Sequence, residues 1–151
     1  MTAAVTLAAL GNGPAFSAYQ SSATTLSTTN FTKILLATEE FDTNNNFASS
    51  TFTPTVAGYY QLSGVVSMNT TATAGSIILS TIYKNGARFK DGSINPINNS
   101  QGGWSGVSCV IYFNGSTDYA ELYGYMSGPA TLTTQTASNC TYFSGAMIRG
   151  A

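Results

Sequence analysis

Short runs rich in Val, Ile, Tyr, Phe and Thr recur along the chain, and clusters of Gly, Asn, Ser and Pro separate them. Within these runs apolar and polar side chains tend to alternate, which is the period of a β-strand with one covered face. No stretch longer than about ten residues has apolar side chains at the three- and four-residue spacing of an amphipathic helix. The pattern therefore predicts an all-β domain of about eight to ten antiparallel strands, folded as a sandwich or barrel.

The clearest local prediction is a hairpin at Asn85-Gly86, between the predicted strands 77–84 and 87–90. Asn-Gly is favoured between paired strands because both residues tolerate the positive φ of a type I′ turn. A second Asn-Gly pair, at 114–115, follows a predicted strand at nearly the same spacing. It predicts a second connection of similar kind.

Residues 32–38 form an apolar run that predicts one further strand. Residues 91–106 and 127–139 are predicted as the two longest polar loops. Loops longer than about twelve residues in a compact domain are often functional. The alternative is that these loops only cross one end of the sandwich.

Charged residues make up only 7% of the chain, and the net charge is -1, whereas about 25% is usual. Because 43% of the residues are hydrophobic, the chain is expected to fold rather than to stay disordered. Five Lys and Arg residues are too few for the basic stripe that nucleic-acid binding requires. Histidine is absent, and no nucleophile, phosphate-loop or metalloprotease motif is found. The sequence predicts no enzyme, cofactor or nucleic-acid partner.

Two acidic groups bear on the enzyme question, namely Glu39-Glu40 and the pair Asp118 and Glu121. A glycosidase needs two carboxylates about 5 to 10 Å apart across a cleft. Adjacent Glu39 and Glu40 point to opposite faces of an extended segment. A glycan hydrolase is therefore the weakest of the alternatives.

The spacing of Asp42, Asn44 and Asn46 is that of the start of a calcium-binding loop. No Gly follows at position 47, and no acidic residue closes the loop. A solvated turn is the preferred interpretation, and no metal is predicted.

Two cysteines, Cys109 and Cys140, match no zinc or thioredoxin spacing. We expect them to be buried free thiols. The sequence alone does not decide whether they form a disulfide.

Several strands carry large apolar side chains on both faces. A monomeric sandwich keeps one face of each antiparallel sheet polar, so a second apolar face predicts an interface with other copies. The alternatives are that loops cover this face, or that the tyrosines keep their hydroxyls in water. The predicted interface residues are Val110, Tyr112, Tyr123, Tyr125, Phe143 and Met147.

Candidate ligand-binding residues lie in two regions. Lys84, Arg88 and Lys90 flank the predicted hairpin and carry the charge to hold a sialylated or phosphorylated glycan, although edge-strand charges more often prevent aggregation. Trp104 is the sole tryptophan, in a glycine-rich loop. Sugars commonly stack on such rings, but the ring is equally suited to plug the end of the sandwich.

Four segments carry a family signature in order and spacing. They are Pro14-Ala15-Phe16-Ser17-Ala18, Phe52-Thr53-Pro54 followed by Ala57-Gly58-Tyr59-Tyr60, Tyr83-Lys84-Asn85-Gly86, and Tyr142-Phe143-Ser144-Gly145-Ala146-Met147-Ile148. Together they resemble the globular head of complement component one-q, which shares its jelly-roll fold with tumour necrosis factor. The resemblance implies a jelly roll of about ten strands that assembles as a compact homotrimer beyond an upstream stalk.

With this resemblance, residues 1–13 are expected to connect to an upstream fibre, stalk or domain, and residues 14–151 to form the head. The uncharged, Asn/Thr-rich style is most similar to fibre-tip versions from phages and bacteria. We expect a non-enzymatic head on a virion surface, or on an extracellular or bacterial surface, that binds a glycan or protein receptor without inserting into a membrane. The alternative is a trimerisation or capping module that binds nothing.

Overall fold

The computed structural model describes residues 13–69, 75–97, 102–128 and 131–151, and every regular element in these ranges is a strand. The strands are β1 (Ala15–Tyr19), β2 (Thr25–Leu26), β3 (Phe31–Lys33), β4 (Thr38–Asp42), β5 (Phe47–Ala48), β6 (Thr51–Phe52), β7 (Gly58–Ser67), β8 (Ile77–Lys84), β9 (Ala87–Pro96), β10 (Trp104–Phe113), β11 (Ala120–Ser127), β12 (Leu132–Thr133) and β13 (Tyr142–Gly150). No helix in these ranges is long and apolar enough to cross a membrane.

All but two of the strands form two packed sheets, and β2 and β12 pair with each other as a separate two-stranded sheet. The five-stranded sheet has the order β10-β7-β13-β1-β4, and the second sheet has the order β5-β6-β11-β8-β9 with β3 also paired to β11. All of these pairings are antiparallel. The predicted antiparallel β-sandwich is confirmed.

Aromatic rings fill the core between the sheets. Phe16 stacks on Phe52 with ring centroids 4.2 Å apart and meets Phe143 edge-on at 5.1 Å. Tyr60 and Phe113 pack beside them, and all five side chains are fully buried. The Phe16 and Tyr60 positions of the family signature are therefore core positions.

The hairpin prediction at Asn85-Gly86 is confirmed. Strands β8 and β9 pair directly, and the two turn residues have φ of 53° and 76°. The prediction at 114–115 is wrong as a hairpin, because β10 belongs to the five-stranded sheet and β11 to the other. There the chain crosses between sheets, and Asn114 organises the crossing by accepting the amide N–H groups of residues 116–118 at its Oδ1.

Two other loop and strand predictions are corrected. The run 32–38 is not one strand, because β3 ends at Lys33, β4 begins at Thr38, and Ile34 and Leu36 turn into the core between them. The predicted long loop 91–106 is mostly strand, since β9 continues to Pro96 and β10 begins at Trp104. A polar sequence here reflects an exposed edge strand rather than a loop.

The described chain begins and ends at the same end of the sandwich, which we call the base. The backbone amide of Met147 donates to the carbonyl of Pro14 at 3.0 Å, and that of Ala151 donates to Ala57 at 3.2 Å. We call the opposite end, where Ser67 pairs with Trp104, the tip. The predicted connector at residues 1–13 lies outside the described residues except for Gly13.

Candidate functional site

The outer surface of the five-stranded sheet, which we call the front face, exposes several large apolar side chains. Phe41, Tyr59, Val110 and Tyr112 are 51%, 43%, 50% and 42% exposed. Tyr59 and Tyr112 are register partners on β7 and β10, with ring centroids 5.4 Å apart. Val110 and Tyr112 were predicted from the sequence to lie on an uncovered face, and they do.

The centre of the front face is polar without being charged. Gln61 donates to Ser108 Oγ at 2.7 Å, and the hydroxyls of Ser63 and Ser108 are 3.3 Å apart. Charged side chains lie at the margins of this face. Glu40 accepts a hydrogen bond from Ser17, and Arg149 is the backbone register partner of Tyr59. Such a surface has little charge to desolvate when it is covered.

A shallow hollow of about 290 Å³ lies on the same face, beside the ridge of Tyr59 and Tyr112. Its walls are mostly small residues, together with the exposed ring of Phe41. They are Ala15, Phe16, Phe41, Gln61, Ser63, Ser144, Gly145 and Ala146. The front face therefore has a protrusion and a depression at different places.

The prediction that Phe143 and Met147 lie on an uncovered face is wrong. Phe143 is fully buried and Met147 is 8% exposed, both in the core. Alternation divides β13 into two faces without deciding which one is inside, and the core takes the face with the larger apolar groups. The outer face of β13 is Tyr142, Ser144 and Ala146, and a register shift between Met147 and Arg149 leaves Ile148 exposed.

Tyr123 and Tyr125 lie on the outer surface of the second sheet, which we call the back face. Tyr123 stacks on Tyr83 with centroids 3.9 Å apart, and Tyr125 packs against Phe31 at 4.8 Å. The strand β3 brings Phe31 onto this face. The six predicted interface residues therefore occupy two opposite faces and the core, and the chain itself partly covers the tyrosines of the back face.

Glu121, beside the tyrosines of the back face, forms a largely buried ion pair. Its Oε1 lies 2.7 Å from Lys33 Nζ and accepts a hydrogen bond from Thr51 at 3.1 Å. Glu121 is 8% exposed. The carboxylate has a structural partner, and no Asp or Glu is among the described residues that line the hollow of the front face.

The predicted cationic ligand residues are engaged with their own chain. Lys84 Nζ lies 3.0 Å from Asp118 Oδ2 at the base, and Arg88 pairs with Asp91 and lies over the Phe31 ring at 4.5 Å. The hydrogen bond from Arg88 holds the pKa of Asp91 below its usual range. Lys90 Nζ lies 5.4 Å from the centroid of the Phe89 ring.

The acidic turn at 42–46 folds onto its own backbone. Asp42 Oδ2 accepts the amide of Phe47 at 2.7 Å, and Oδ1 accepts that of Asn44 at 3.3 Å. Asn46 Oδ1 accepts the amide of Thr55 at 3.2 Å. The described residues hold no group of three potential metal-ligating side chains.

Trp104 begins β10 rather than lying in a loop, and it projects at the tip with 63% of its surface exposed. It forms one wall of a cavity of about 440 Å³, which we call the tip cavity; the other lining residues are Val65, Ser67, Gln135, Asn139, Cys140 and Tyr142. A second cavity of about 320 Å³, the threonine cavity, is lined by Ala23, Asn69, Thr133, Thr134, Gln135, Thr136 and Cys140. The two cavities share Gln135 and Cys140.

Both cysteines are free thiols, as expected, but each is only partly buried. Cys109 packs against the core, and burial raises the pKa of its thiol. Cys140 precedes β13 and donates to Asn139 Oδ1 at 3.4 Å.

Sequence reasoning missed Tyr59, Phe41 and Gln135. The exposure of Tyr59 could have been predicted. Side chains alternate along a strand, so Tyr59, Gln61 and Ser63 share the face opposite to that of Tyr60. Gln135 follows the short strand β12 in a polar segment that carries no periodic signal.

No family model matches the chain, and no curated protein matches it. Solved structures match the chain in fold. Murine APRIL superposes with a TM-score of 0.69 at 8% identity, over 90% of this chain and 99% of that one. The globular domain of zebrafish complement 1qA protein gives 0.65 at 14% identity, over 92% and 99%. The PRD1 vertex protein P5 gives 0.65 at 19% identity, over 90% and 97%. The chain therefore has the jelly-roll fold of tumour necrosis factor-like and complement one-q heads, as the sequence resemblance predicted.

Proposed function

We propose that the protein is a non-enzymatic head that assembles as a homotrimer through its front face and recognises a receptor or glycan at the surface of a virion or fibre. The observation that carries the proposal is the front face itself, where exposed apolar side chains lie beside an uncharged polar centre. A second copy of the chain is the occupant that suits it. The likeness in fold to head domains and to a phage vertex protein supports both the assembly and the location.

The apolar area supports a stable contact. If Phe41, Tyr59, Val110 and Tyr112 each lose about 80 Å² of apolar surface, the driving force is about 8 kcal/mol before the cost of association. The Tyr59 and Tyr112 ridge and the hollow occupy different parts of the face. A ridge that enters the hollow of the next copy makes a heterologous contact. Such contacts generate a ring when the rotation between copies closes, and an open filament when it does not.

Light scattering after gel filtration tests the assembly. We expect a mass three times the 15.7 kDa of the chain; a mass of one chain at micromolar concentration would refute the trimer. Tyr112→Glu should dissociate it, because a charge would be buried without a partner. Tyr125→Glu, on the back face, is the matched control and should leave the trimer intact. If Tyr125→Glu dissociates the trimer and Tyr112→Glu does not, the interface lies on the back face.

Binding is tested separately with the assembled protein. A fluorescently labelled head is incubated with whole cells of candidate hosts and with a glycan array. Saturable binding supports a receptor-binding head. Clean negatives on all hosts and glycans would favour the capping module.

A further inference from the structure

The tip cavity and the threonine cavity adjoin at the end of the sandwich opposite the base, and the tip cavity lies at the tip end of the front face, away from Tyr59 and Tyr112. The described chain enters and leaves at the base, where Pro14 and Ala151 make their backbone hydrogen bonds. An upstream stalk would therefore attach at the base, and the Trp104 end would face outward. The end of a head that lies away from its stalk is the end exposed to a target.

The larger cavity combines an apolar wall with hydrogen-bonding groups. Trp104 and Tyr142 supply aromatic surface, and Gln135, Asn139 and Ser67 supply amides and a hydroxyl. None of the described residues that line either cavity is charged. A cavity of this size with a few convergent polar groups on an apolar wall is typical of a small-molecule site.

The amides are held so that their donors remain for a ligand. Gln135 Oε1 accepts from Ser67 Oγ at 2.8 Å, and Asn139 Oδ1 accepts from Cys140 Sγ. Within the described residues neither side-chain NH₂ group donates to a protein acceptor. An amide NH₂ carries two donors, so the rim offers donors beside an exposed ring.

We propose that the two cavities form a binding site for an uncharged oligosaccharide. One face of a sugar ring consists of C–H groups and packs on the exposed side of Trp104, while its oxygens accept from Gln135 and Asn139. The hydroxyl-rich threonine cavity takes the next sugar, since Gln135 and Cys140 line both cavities. The described walls carry no cationic side chain to pair with a carboxylate, so the site favours neutral sugars over sialylated ones. The site deepens the proposed function by naming its ligand class, and its chemistry does not require the trimer.

Trp104 and Cys140 provide two local readouts. Trp104 is the only tryptophan, so any change of tryptophan fluorescence on titration reports on this site. In a Cys109→Ser background, Cys140 is the sole thiol, and a bound sugar should slow its reaction with a maleimide at least threefold. The titrants are neutral di- to tetrasaccharides of glucose, galactose, mannose and N-acetylglucosamine. Lactose and 3′-sialyllactose, which differ by one charged sialic acid, compare a neutral sugar with an anionic one.

We expect a saturable fluorescence change and protection of Cys140 by at least one neutral sugar. Trp104→Ala should weaken binding at least tenfold by calorimetry, with the mass and melting temperature unchanged; Trp104→Phe should restore part of it. Phe89→Ala removes an exposed ring outside both cavities and should have no effect. The proposal is overturned if no neutral sugar binds, if only sialylated sugars bind, or if Trp104→Ala changes the mass, which would assign the ring to a subunit contact. If the wild-type protein is a monomer and still binds sugar, the trimer is refuted and the sugar site is not.

Discussion

The backbones of Gly92 and Gly106 are in contact across the open edge of the sandwich. A β-carbon added to Gly92 would lie only 2.1 Å from the carbonyl oxygen of Gly106. The contact brings the edge strand β9 against β10, which belongs to the other sheet. Ser105 Oγ reinforces this closure by donating to the carbonyl of Ser93 at 2.6 Å. Gly92→Ala should therefore destabilise the protein by about 1–3 kcal/mol, as overpacking does elsewhere. Chemical denaturation at fixed protein concentration measures the change.

Gly106→Ala is the control for this prediction. A β-carbon added there meets no atom closer than 4.0 Å, because it points to the outer surface. We expect a change within about 0.5 kcal/mol. Equal losses of unfolding free energy in the two variants would mean that the close contact at this edge is not the reason for a glycine at position 92.

Phe143 illustrates the difference between an interface residue and a core residue. Phe143→Ala removes a fully buried ring from its contacts with Phe16, so we expect a loss of about 3–5 kcal/mol in the free energy of unfolding. Ile148→Ala, on the same strand but 47% exposed, should cost much less. If Phe143→Ala kept its stability and only lowered the mass in light scattering, the ring would belong to a subunit contact.

Strand period and turn chemistry were sufficient to predict the sandwich. The Asn85-Gly86 turn is specified by two residues that tolerate positive φ, and alternation placed Val110 and Tyr112 correctly on an outer face. The same alternation failed for Phe143 and Met147, because the pattern separates two faces but the side that turns inward is chosen by packing against the other sheet.

The tip site was only partly predictable. Trp104 was selected as the sole tryptophan in a glycine-rich loop, but its neighbours come from three other parts of the chain. Val65 lies on β7, Gln135 follows β12, and Tyr142 begins β13. Their proximity follows from sheet order, which is set by long-range pairing and leaves no local mark on the sequence.

The pair of Lys33 and Glu121 should show strong coupling in a double-mutant cycle. Glu121→Gln leaves Lys33 without its counter-charge, so we expect a loss of about 1–3 kcal/mol. Lys33→Met leaves the largely buried carboxylate unpaired and should cost at least as much. The double variant should be less destabilised than the sum of the two singles, and additive losses would mean that the pair contributes nothing as a pair.

Asp118 should contribute to stability only while it is ionised. The hydrogen bond from Asn85 holds the pKa of this carboxyl below its usual range, and bonds from Lys84 and the amide of Asn114 act in the same direction. Because the folded-state pKa is depressed, the stabilisation is full above the unfolded value of about 4 and is lost as pH falls through the folded value. Wild type should therefore melt above Asp118→Asn at neutral pH, and the two melting temperatures should converge below about pH 4. A gap that persists in acid would contradict the ionic origin.

Tyr60 should make the fold sensitive to alkali. Burial raises the pKa of Tyr60 to about 12, and its hydroxyl donates to the carbonyl of Val56 at 2.7 Å. The unfolded chain releases this proton near pH 10, while the folded chain keeps it, so the free energy of unfolding falls as pH rises between these values.

Tyr60→Phe loses the hydrogen bond and should be about 1 kcal/mol less stable at neutral pH. The variant has no proton to release at this position, so its stability should fall less steeply and the gap should close above pH 10. Since the other tyrosines titrate equally in both proteins, denaturation curves across this range isolate Tyr60, and a constant gap would show that its hydroxyl ionises as readily in the folded protein as in water.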